Sequence, residues 1–472
     1  MAIRHTTPLS PATVSSLRAA LRGDVIAPDD SVYDEARTPV ITVVDRRPAL
    51  IVRAADAADV ARVVTFARDN GVELAVRSGG HSMAGHSSTE GGILLDLSAM
   101  KALDIDVEGR AAWVEAGMTT GEYTVAAAAH GLATGFGDTA SVGIGGITLA
   151  GGIGYLVRKH GLTIDSLLAA EIVTADGEVR TVDAEHEPDL FWAIRGGGGN
   201  FGVATRFRFR LHELDGIVGG MLMLPATAET IAAYIAASDA APEELSSIAA
   251  VMKAPPAPFV PAELHGQPII MALMCYAGDA EAGGRAIAPF RAIAQPVVDM
   301  VGPKAYPEMF PPEEQGPPME NVSIRTMFID RLGVPEAQAI LDGLQASTAP
   351  MAVVQLRVLG GAVARVPADA TAFAYRTSRI LASAAAMYGN PAEAPQHASW
   401  VHGLVDALRQ GDAGAYTGFM VEEGEERVHE AYPGATWDRL AAIKAVYDPT
   451  NLFHLNQNIP PASAERGQAV AE

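Results

Sequence analysis

The chain has 472 residues, enough for two or three domains and at least one large core. Its formal charge of −22 argues against partners with phosphate backbones or anionic lipid surfaces, so we expect no nucleic acid and no membrane as a partner. No apolar run reaches the roughly 18–20 residues that span a bilayer, and the start lacks a secretory signal, so a cytoplasmic location is expected. The single cysteine, Cys275, excludes internal disulfides, zinc clusters and iron–sulfur sites.

The first half of the chain alternates short helices and strands and is very rich in glycine. In chain order we predict a helix over 56–70, strands over 72–77 and 91–98, a helix over 119–131, a hairpin over 171–182 and a strand over 203–211. Gly71 is the stop signal of the first helix, and Thr119 and Glu122 stand at capping-box spacing. The pair Asp176-Gly177 is a strong hairpin signal.

The character of the chain changes near Leu214, where prolines and alanine-rich amphipathic segments begin. Strands are predicted over 268–278 and 353–363, and a helix over 435–449. The proline-dense stretch 300–320 predicts a loop. We therefore place a second domain at 214–410, and a flexible tail at 464–472.

Three glycine-rich stretches carry the chemical signal. The first consists of Arg77, Ser78, Gly79, Gly80, His81 and Ser82, directly after a predicted strand. Its glycines allow a close approach to a ligand, successive N–H groups can form an anion-binding nest, and the arginine and hydroxyls add donors suited to a pyrophosphate. An ordinary strand-to-loop turn is the alternative. The other two stretches span 135–154 and 196–202 and can lie against a planar ring or a diphosphate.

A nicotinamide-binding Rossmann domain is a competing interpretation of these glycines. It requires GxGxxG between a strand and a helix, with an acidic residue about 20 positions later. The candidate Gly143-Ile-Gly145-Gly146 follows DTASV, which is not a convincing strand, and no N-terminal βαβ unit carries the fingerprint. The pattern therefore disfavours a nicotinamide cofactor.

Longer segments resemble one known family. VRSGGHSMAGHSSTEGGILLDLS, GDTASVGIGGITLAGGIGYLVRKHGL, DLFWAIRGGGGNFGV and YDPTNLFHLNQNI are similar, in family order, to blocks of the berberine-bridge-enzyme-like branch of the vanillyl-alcohol-oxidase superfamily. The resemblance implies an α+β fold with an FAD-binding domain at 1–213 and an α+β substrate domain at 214–410, whose antiparallel sheet covers the flavin. A C-terminal segment, 411–463, would return to the FAD domain.

The same resemblance assigns the cofactor site. The positions matched to it are Arg77, Ser78, Gly79, Gly80, His81, Ser82, Thr139, Val142, Gly145, Gly146, Gly152, Val203, Asn456 and Asn458. His81 matches the histidine whose ring nitrogen is bonded to the 8α methyl carbon of the flavin. Many relatives add a second bond from a cysteine at the position of Thr139, so a single covalent link is expected here. Val142 matches the residue that controls oxygen access, where valine accompanies oxidases.

Tyr416 is the catalytic candidate. Its segment AYTGFM resembles the family's Y-x-N-Y segment, although Gly418 stands where the asparagine is usual. A residue that only shapes the pocket is the alternative, since a tyrosine with a pKa near 10 must be activated to act as a base. Further polar candidates are Tyr375, Tyr388, His397 and His402. A strand and a helix both stay open for the segment with the two histidines, which stand at i and i+5 without a nearby carboxylate, so no metal site is expected.

The resemblance implies an FAD-dependent oxidase that removes hydride from an alcohol, amine or benzylic-type carbon of a small organic substrate and reduces dioxygen to hydrogen peroxide. A dehydrogenase, an oxidative cyclase of secondary metabolism and a flavin-binding protein without turnover are the alternatives. A small-molecule substrate and dioxygen are then the expected partners. The oligomeric state is left open, with a homo-oligomer as one alternative.

Overall fold

The computed structural model describes residues 9–41, 44–310, 321–411 and 414–463. Helices and strands are mixed, with one mixed sheet and further antiparallel sheets, so the predicted α+β class is confirmed. None of the helices in the described ranges is long and apolar enough to cross a membrane. The predicted tail at 464–472 lies outside the described residues.

The first sheet has the strand order β1-β2-β4-β3. Its strands are β1 (Asp24–Ile26), β2 (Leu50–Arg53), β3 (Leu74–Arg77) and β4 (Ile93–Asp96), with β1 antiparallel to β2 and both other pairings parallel. Helix α3 (Ala57–Asn70) crosses between β2 and β3 and confirms the first predicted helix. It ends at Gly71, whose φ of +62° is the left-handed C-cap that glycine adopts readily. The chain therefore turns from α3 into β3 within a few residues.

The second sheet is antiparallel, in the order β5-β6-β10-β8-β9. Its strands are β5 (Leu103–Asp106), β6 (Ala111–Glu115), β8 (Leu167–Val173), β9 (Val179–Asp183) and β10 (Val203–Arg210). The predicted hairpin at Asp176-Gly177 is confirmed by the pairing of β8 with β9. On β10, Phe207 and Phe209 are buried while the arginines that alternate with them are not, as the strict alternation predicts.

Short elements connect these two sheets. They are α1 (Pro11–Ala20), α2 (Tyr33–Arg37), α4 (Thr120–Ala128), β7 (Leu132–Ala133), α5 (Ile144–Ala150), α6 (Val157–His160), α7 (Pro188–Ala193) and β11 (His212–Glu213), with 3₁₀ turns at Thr163–Asp165 and Gly198–Asn200. Thr119 and Glu122 form the predicted capping box at the start of α4. The glycine-rich stretch 135–154 thus runs from β7 through α5 to α6.

The third sheet is antiparallel and larger, in the order β15-β12-β14-β13-β18-β19-β17, with β16 paired to β12. Its strands are β12 (Ile217–Pro225), β13 (Leu245–Lys253), β14 (Pro268–Tyr276), β15 (Val298–Asp299), β16 (Gly302–Lys304), β17 (Asn321–Ile329), β18 (Met351–Val358) and β19 (Ile380–Tyr388). The helices around it are α8 (Ala228–Ala240), α9 (Ala280–Arg291), α10 (Val334–Ala346), α11 (Ala362–Arg365) and α12 (Ala394–Leu408). Apolar residues of α8, α9, α10 and α12 pack on one face of the sheet.

Two predictions in this region were wrong in part. The strand expected over 353–363 ends at Val358, because Gly360 and Gly361 take φ values of +91° and +52° that interrupt an extended chain. The loop expected over 300–320 contains β16 and a 3₁₀ turn at Tyr306–Met309, since pairing with β12 orders this edge. Its second half, 311–320, lies outside the described residues.

The C-terminal helices α13 (Glu425–Ala431) and α14 (Ala435–Tyr447) belong to the same hydrophobic core as the first two sheets. Helix α14 confirms the helix expected over 435–449 and buries Leu440 and Ile443. The following block joins the first sheet through an ion pair of 3.3 Å between His454 Nε2 and Glu73 Oε2. The predicted domain ranges themselves stay a prediction.

Candidate active site

The first two glycine-rich stretches lie against each other. A Cβ at Gly79 would stand 2.1 Å from the backbone nitrogen of Gly143, and a Cβ at Gly143 would stand 2.2 Å from that of Gly79. The Ser78 hydroxyl donates to the carbonyl of Ala116 at 2.6 Å and accepts the N–H of Gly145 at 3.3 Å. Only glycine allows this approach of two backbones, so the contact fixes how the loop after β3 meets the start of α5.

The side chain of Arg77 is buried and hydrogen-bonds backbone carbonyls of neighbouring segments. Its guanidinium donates to the carbonyls of Ala36 and Arg37, each at 2.6 Å, and to that of Ser87 at 3.2 Å. Burial lowers its pKa, while the carboxylate of Asp96 opposes that shift. These three hydrogen bonds to carbonyl oxygens give Arg77 a structural role. Its direct contact with a cofactor phosphate stays a prediction.

His81 lies at the junction of the two stretches. Its Nε2 is 2.8 Å from the hydroxyl oxygen of Ser141, and the ring is half-buried. Gly80 before it has a φ of +72°, which lets the chain turn sharply. The Ser82 hydroxyl accepts the N–H of His86 at 3.1 Å and so stabilises the turn of its own loop. The hydroxyl of Ser141 therefore ties the ring of His81 to the second stretch.

Helix α4 holds the backbone of the residues before α5. Thr120 donates through its hydroxyl to the carbonyl of Thr139 at 2.7 Å and through its N–H to that of Val142 at 2.9 Å. The side chains of Thr139 and Val142 stay half-buried. Gly146 is exposed, and a Cβ there would meet nothing within 4 Å. Space for a ligand is thus left beside these positions.

Tyr416 reaches the end of the second stretch. Its hydroxyl oxygen accepts the N–H of Gly152 at 3.0 Å, and its own N–H donates to the hydroxyl of Thr326 at 3.1 Å. Its ring meets Phe419 edge-on, with 5.1 Å between ring centroids. Burial raises the pKa of Tyr416 to about 12, although the Gly152 bond lowers it in part. The residue is therefore a neutral hydroxyl over the physiological range.

We expect Tyr416 to carry its proton up to about pH 11, because burial disfavours the phenolate. The measurement is a titration of the near-ultraviolet tyrosinate absorbance of wild type and of Tyr416→Phe. The two curves should coincide up to that pH and separate only above it. A separation near neutral pH would show that Tyr416 is a preformed base.

An ion pair at this point was not predicted from the sequence. Arg357 on β18 donates from Nη2 to Asp138 Oδ2 at 2.7 Å and from Nη1 to the carbonyl of Ile153 at 3.0 Å. Its Nε and Nη2 also donate to Gln355 Oε1, at 3.1 and 2.8 Å. The pair joins the third sheet to the second glycine-rich stretch. The one available signal was the spacing of Gln355 and Arg357, which puts both on one face of a strand.

The C-terminal block closes the site from the other side. Asn200 Nδ2 donates to the carbonyl of Gln457 at 3.1 Å, and Asn200 Oδ1 accepts the N–H of Ile459 at 2.9 Å. Asn456 Oδ1 and Asn458 Oδ1 are buried, and no group in the described ranges donates to them. Such acceptors need a donor from elsewhere. The last predicted cofactor residue, Val203, is 1% exposed and pairs with Val173 in the sheet, so it packs in the core.

These features fit FAD. A Cβ at Gly146 would meet nothing within 4 Å, so a planar ring or diphosphate can approach the backbone there, and the two orphaned asparagine oxygens can accept from the N–H and hydroxyl groups that FAD carries. No group of three or more His, Cys, Asp or Glu side chains converges as a metal site in the ranges that the structure describes.

The other polar candidates make structural contacts within the third sheet and beside it. Tyr375 donates to the carbonyl of Glu430, and the Tyr388 hydroxyl lies 3.1 Å from that of Ser323. The segment with the two histidines is helix α12, so the strand alternative was wrong. His397 is buried against the ring of Tyr388, with 4.4 Å between centroids, while His402 is exposed.

Comparison with known proteins agrees with this site. A family model described as "FAD binding domain" matches residues 48–183, and one described as "Berberine and berberine like" matches residues 415–460. The chain is 32% identical to (R)-6-hydroxynicotine oxidase of Paenarthrobacter nicotinovorans over 98% of this chain and 99% of the relative. It is 27% identical to berberine bridge enzyme-like 17 of Arabidopsis thaliana over 89% of this chain and 86% of the relative.

The solved structures point the same way. That of 6-hydroxy-D-nicotine oxidase from Arthrobacter nicotinovorans matches with a TM-score of 0.83 and 30% identity, over 97% of this chain and 100% of the other. A chitooligosaccharide oxidase shares the fold, with a TM-score of 0.83 and 22% identity over 95% of this chain and 100% of the other. The chain therefore belongs to the berberine-bridge-enzyme-like family of FAD-linked oxidoreductases.

Proposed function

We propose that the protein is an oxidase that holds FAD through one covalent bond from His81. It would oxidise an alcohol, amine or benzylic-type carbon of a small organic molecule. The observation that carries the proposal is the position of the His81 ring, half-buried where the two glycine-rich stretches meet and in contact with Ser141. The names of similar proteins, among them (R)-6-hydroxynicotine oxidase, support the reaction class.

The covalent bond would join a ring nitrogen of His81 to the 8α methyl carbon of FAD. Formation of this bond would release a proton from the nitrogen and, in net terms, a hydride from the carbon, whose two electrons dioxygen would accept. A second bond is not expected, because Thr139 has no thiol and Cys275 is fully buried on β14. Burial raises the pKa of the Cys275 thiol to about 12, so it stays an inert, protonated side chain.

Bound FAD would supply the redox chemistry, namely acceptance of a hydride from the substrate carbon and transfer of two electrons to dioxygen, which with two protons gives hydrogen peroxide. Tyr416 keeps its own proton, so its part is to orient the substrate hydroxyl or amine by a hydrogen bond. The substrate proton then leaves to solvent. Arg357 and Asp138 keep β18 in position against the glycine-rich stretch.

The oxygen reaction separates this proposal from its alternatives. Holoenzyme reduced anaerobically by dithionite and then mixed with air should regain its visible flavin absorbance rapidly and release one hydrogen peroxide per flavin. Val142→Leu should slow this reoxidation, because a larger side chain beside the flavin restricts dioxygen. Reoxidation that needs a quinone would favour the dehydrogenase. Fast reoxidation without bleaching by any amine, alcohol or sugar would favour a flavin-binding protein without turnover.

A further inference from the structure

A polar hollow of about 460 Å³ lies outside the candidate active site. It opens between the β5–β6 turn, the end of α6, β8 and the junction of β10 with β11. None of its residues takes part in the proposed function. Its polar side chains are those of Arg110, His160, Arg210, His212 and Glu213. We call this space the histidine hollow.

A pair of stacked imidazoles forms one wall of the histidine hollow. The rings of His160 and His212 are 3.9 Å apart between centroids and 16° from parallel. His212 pairs with Ala133 of β7, just before the second glycine-rich stretch begins, and its Nε2 lies 2.9 Å from the Ser166 hydroxyl. His160 ends α6, which follows that stretch. The stack therefore connects the segment that enters the stretch with the segment that leaves it.

The electrostatic surroundings of the two rings are positive. Burial lowers the pKa of His160 to about 3 and that of His212 to about 4, so both imidazoles are neutral at physiological pH. Lys159 lowers both pKa values further, and Arg210 lowers that of His212. Among the described residues, no carboxylate raises either pKa. This local excess of positive charge contrasts with the formal charge of −22 for the whole chain.

One cation of the histidine hollow has no counter-charge. Glu213 pairs with Arg110, with 2.5 Å between Oε1 and Nη2. Lys159 donates from Nζ to the carbonyl of Ala277 at 2.7 Å. The exposed side chain of Arg210 makes no ion pair and no hydrogen bond within the described ranges. Its guanidinium is a planar fork of N–H donors, which matches the oxygens of a phosphate group.

The ring of His160 has an unused hydrogen-bonding group in the same space. Neither of its nitrogens hydrogen-bonds a residue of the part of the chain that the structure describes. Nε2 is enclosed by protein, whereas Nδ1 is not among the enclosed polar atoms. A neutral imidazole carries one N–H, and an acceptor beside Nδ1 favours the tautomer with the proton there. His160 can therefore donate one hydrogen bond to a ligand.

The histidine hollow has room for more than a single ion. Its volume of about 460 Å³ falls within the range of roughly 300–1,000 Å³ that is usual for small-molecule sites. Leu168 and Leu211 supply an apolar part of the lining. A phosphate group can therefore enter either as the free ion or as part of a small organic molecule.

We propose that the histidine hollow binds a phosphate group, free or carried on a small organic molecule, with Arg210 supplying the charge and His160 a hydrogen bond. The bound group lies against both imidazoles and so holds the two ends of the glycine-rich stretch together. The site is separate from the oxidation reaction and does not depend on the proposed function.

Isothermal titration calorimetry on the holoenzyme at fixed ionic strength tests this site with glycerol 3-phosphate, inorganic phosphate and glycerol. The two phosphates should bind at one site per chain, and glycerol should not. Arg210→Gln should weaken their binding about tenfold, the loss expected for one charge-assisted hydrogen bond. Arg208→Gln is the matched control, because Arg208 is exposed on the same strand but does not line the hollow, and it should bind like wild type.

His160→Phe tests the second contact. It keeps an aromatic ring against His212 but removes the N–H donor, so it should also weaken both phosphates. Tighter binding of glycerol 3-phosphate than of inorganic phosphate would identify an organic phosphate as the ligand, and equal affinities would identify the free ion. Absence of binding, or equal weakening by Arg210→Gln and Arg208→Gln, would overturn the inference. A change in the flavin spectrum during the titration would also overturn it, because the phosphate would then lie beside the flavin.

Discussion

Replacing His81 by alanine should remove all flavin that survives acid denaturation. Wild-type protein, denatured in acid and run on a gel, is expected to show flavin fluorescence in its band, because the bond to the ring nitrogen does not depend on the fold. His81→Ala lacks that nitrogen, so any FAD it holds should appear in the supernatant. The expected change is complete rather than graded, which makes it the largest effect proposed for the site.

His86→Ala is the matched control for this experiment. His86 belongs to the same loop and is half-buried, and its Nε2 lies 3.5 Å from Glu422, so its loss perturbs the loop without touching the proposed bond. Its band should stay fluorescent. A wild-type band without fluorescence, with FAD free in solution, would contradict the covalent link and leave an FAD protein. Fluorescence that persists in His81→Ala would place the bond on another residue.

Ser141→Ala separates the orientation of His81 from its reactivity. The Ser141 hydroxyl contacts Nε2 of His81 at 2.8 Å and so restrains the ring. Its removal should slow the appearance of covalent flavin when apoprotein is mixed with FAD, while the final yield stays near that of wild type. A full loss would mean that the hydroxyl is required for the bond itself.

Local signals predicted much of this fold. Gly71 ends α3, Asp176-Gly177 makes the hairpin, and the alternation of β10 gives its buried face, because each depends on neighbouring residues alone. Edge strand β16 escaped prediction because its order comes from β12, more than 75 positions earlier, and because Pro303 argues against a strand. Pairing with a strand that is distant in sequence therefore determines β16.

The same distinction between local motifs and contacts distant in sequence applies to the candidate site. The glycines and His81 could be located from sequence, since they stand in short motifs that resemble a family. The Arg357–Asp138 pair could not, because the partners are 219 positions apart and a lone arginine in an apolar strand has no specific signal. Tyr416 was found, but its raised pKa follows from burial, which the sequence does not reveal.

Helix α14 and the block after it depend on one buried ion pair. Lys444 and Asp448 are both fully buried, with 2.6 Å between Nζ and Oδ2. The ammonium also donates to the carbonyls of Asn200 and Phe453, at 2.6 and 2.9 Å. The carboxylate accepts the N–H groups of Leu452 and Phe453, each at 2.8 Å. The pair therefore fixes the chain that leads to Asn456 and Asn458.

Lys444→Met should lower the free energy of unfolding by about 3–5 kcal/mol, because it leaves a buried carboxylate without its counter-charge. Urea denaturation measures the change, and Lys101→Met is the matched control. Lys101 pairs with Glu122 at 2.7 Å, but the two side chains are 42% and 44% exposed, so at most about 1 kcal/mol is expected there. Equal losses in the two variants would contradict a buried pair.

A second variant separates the cost of an unpaired charge from the loss of the pair itself. Burial lowers the pKa of Lys444, and the Asp448 carboxylate opposes that shift. Adding Asp448→Asn to Lys444→Met removes the unpaired charge and keeps an acceptor for the backbone, so stability should return in part. The flavin content of wild type, the double variant and Lys444→Met should fall in the same order as their stability, because Asn456 and Asn458 keep their orientation only while this turn is intact. A double variant less stable than Lys444→Met would mean that Asp448 contributes through its backbone bonds more than through its charge.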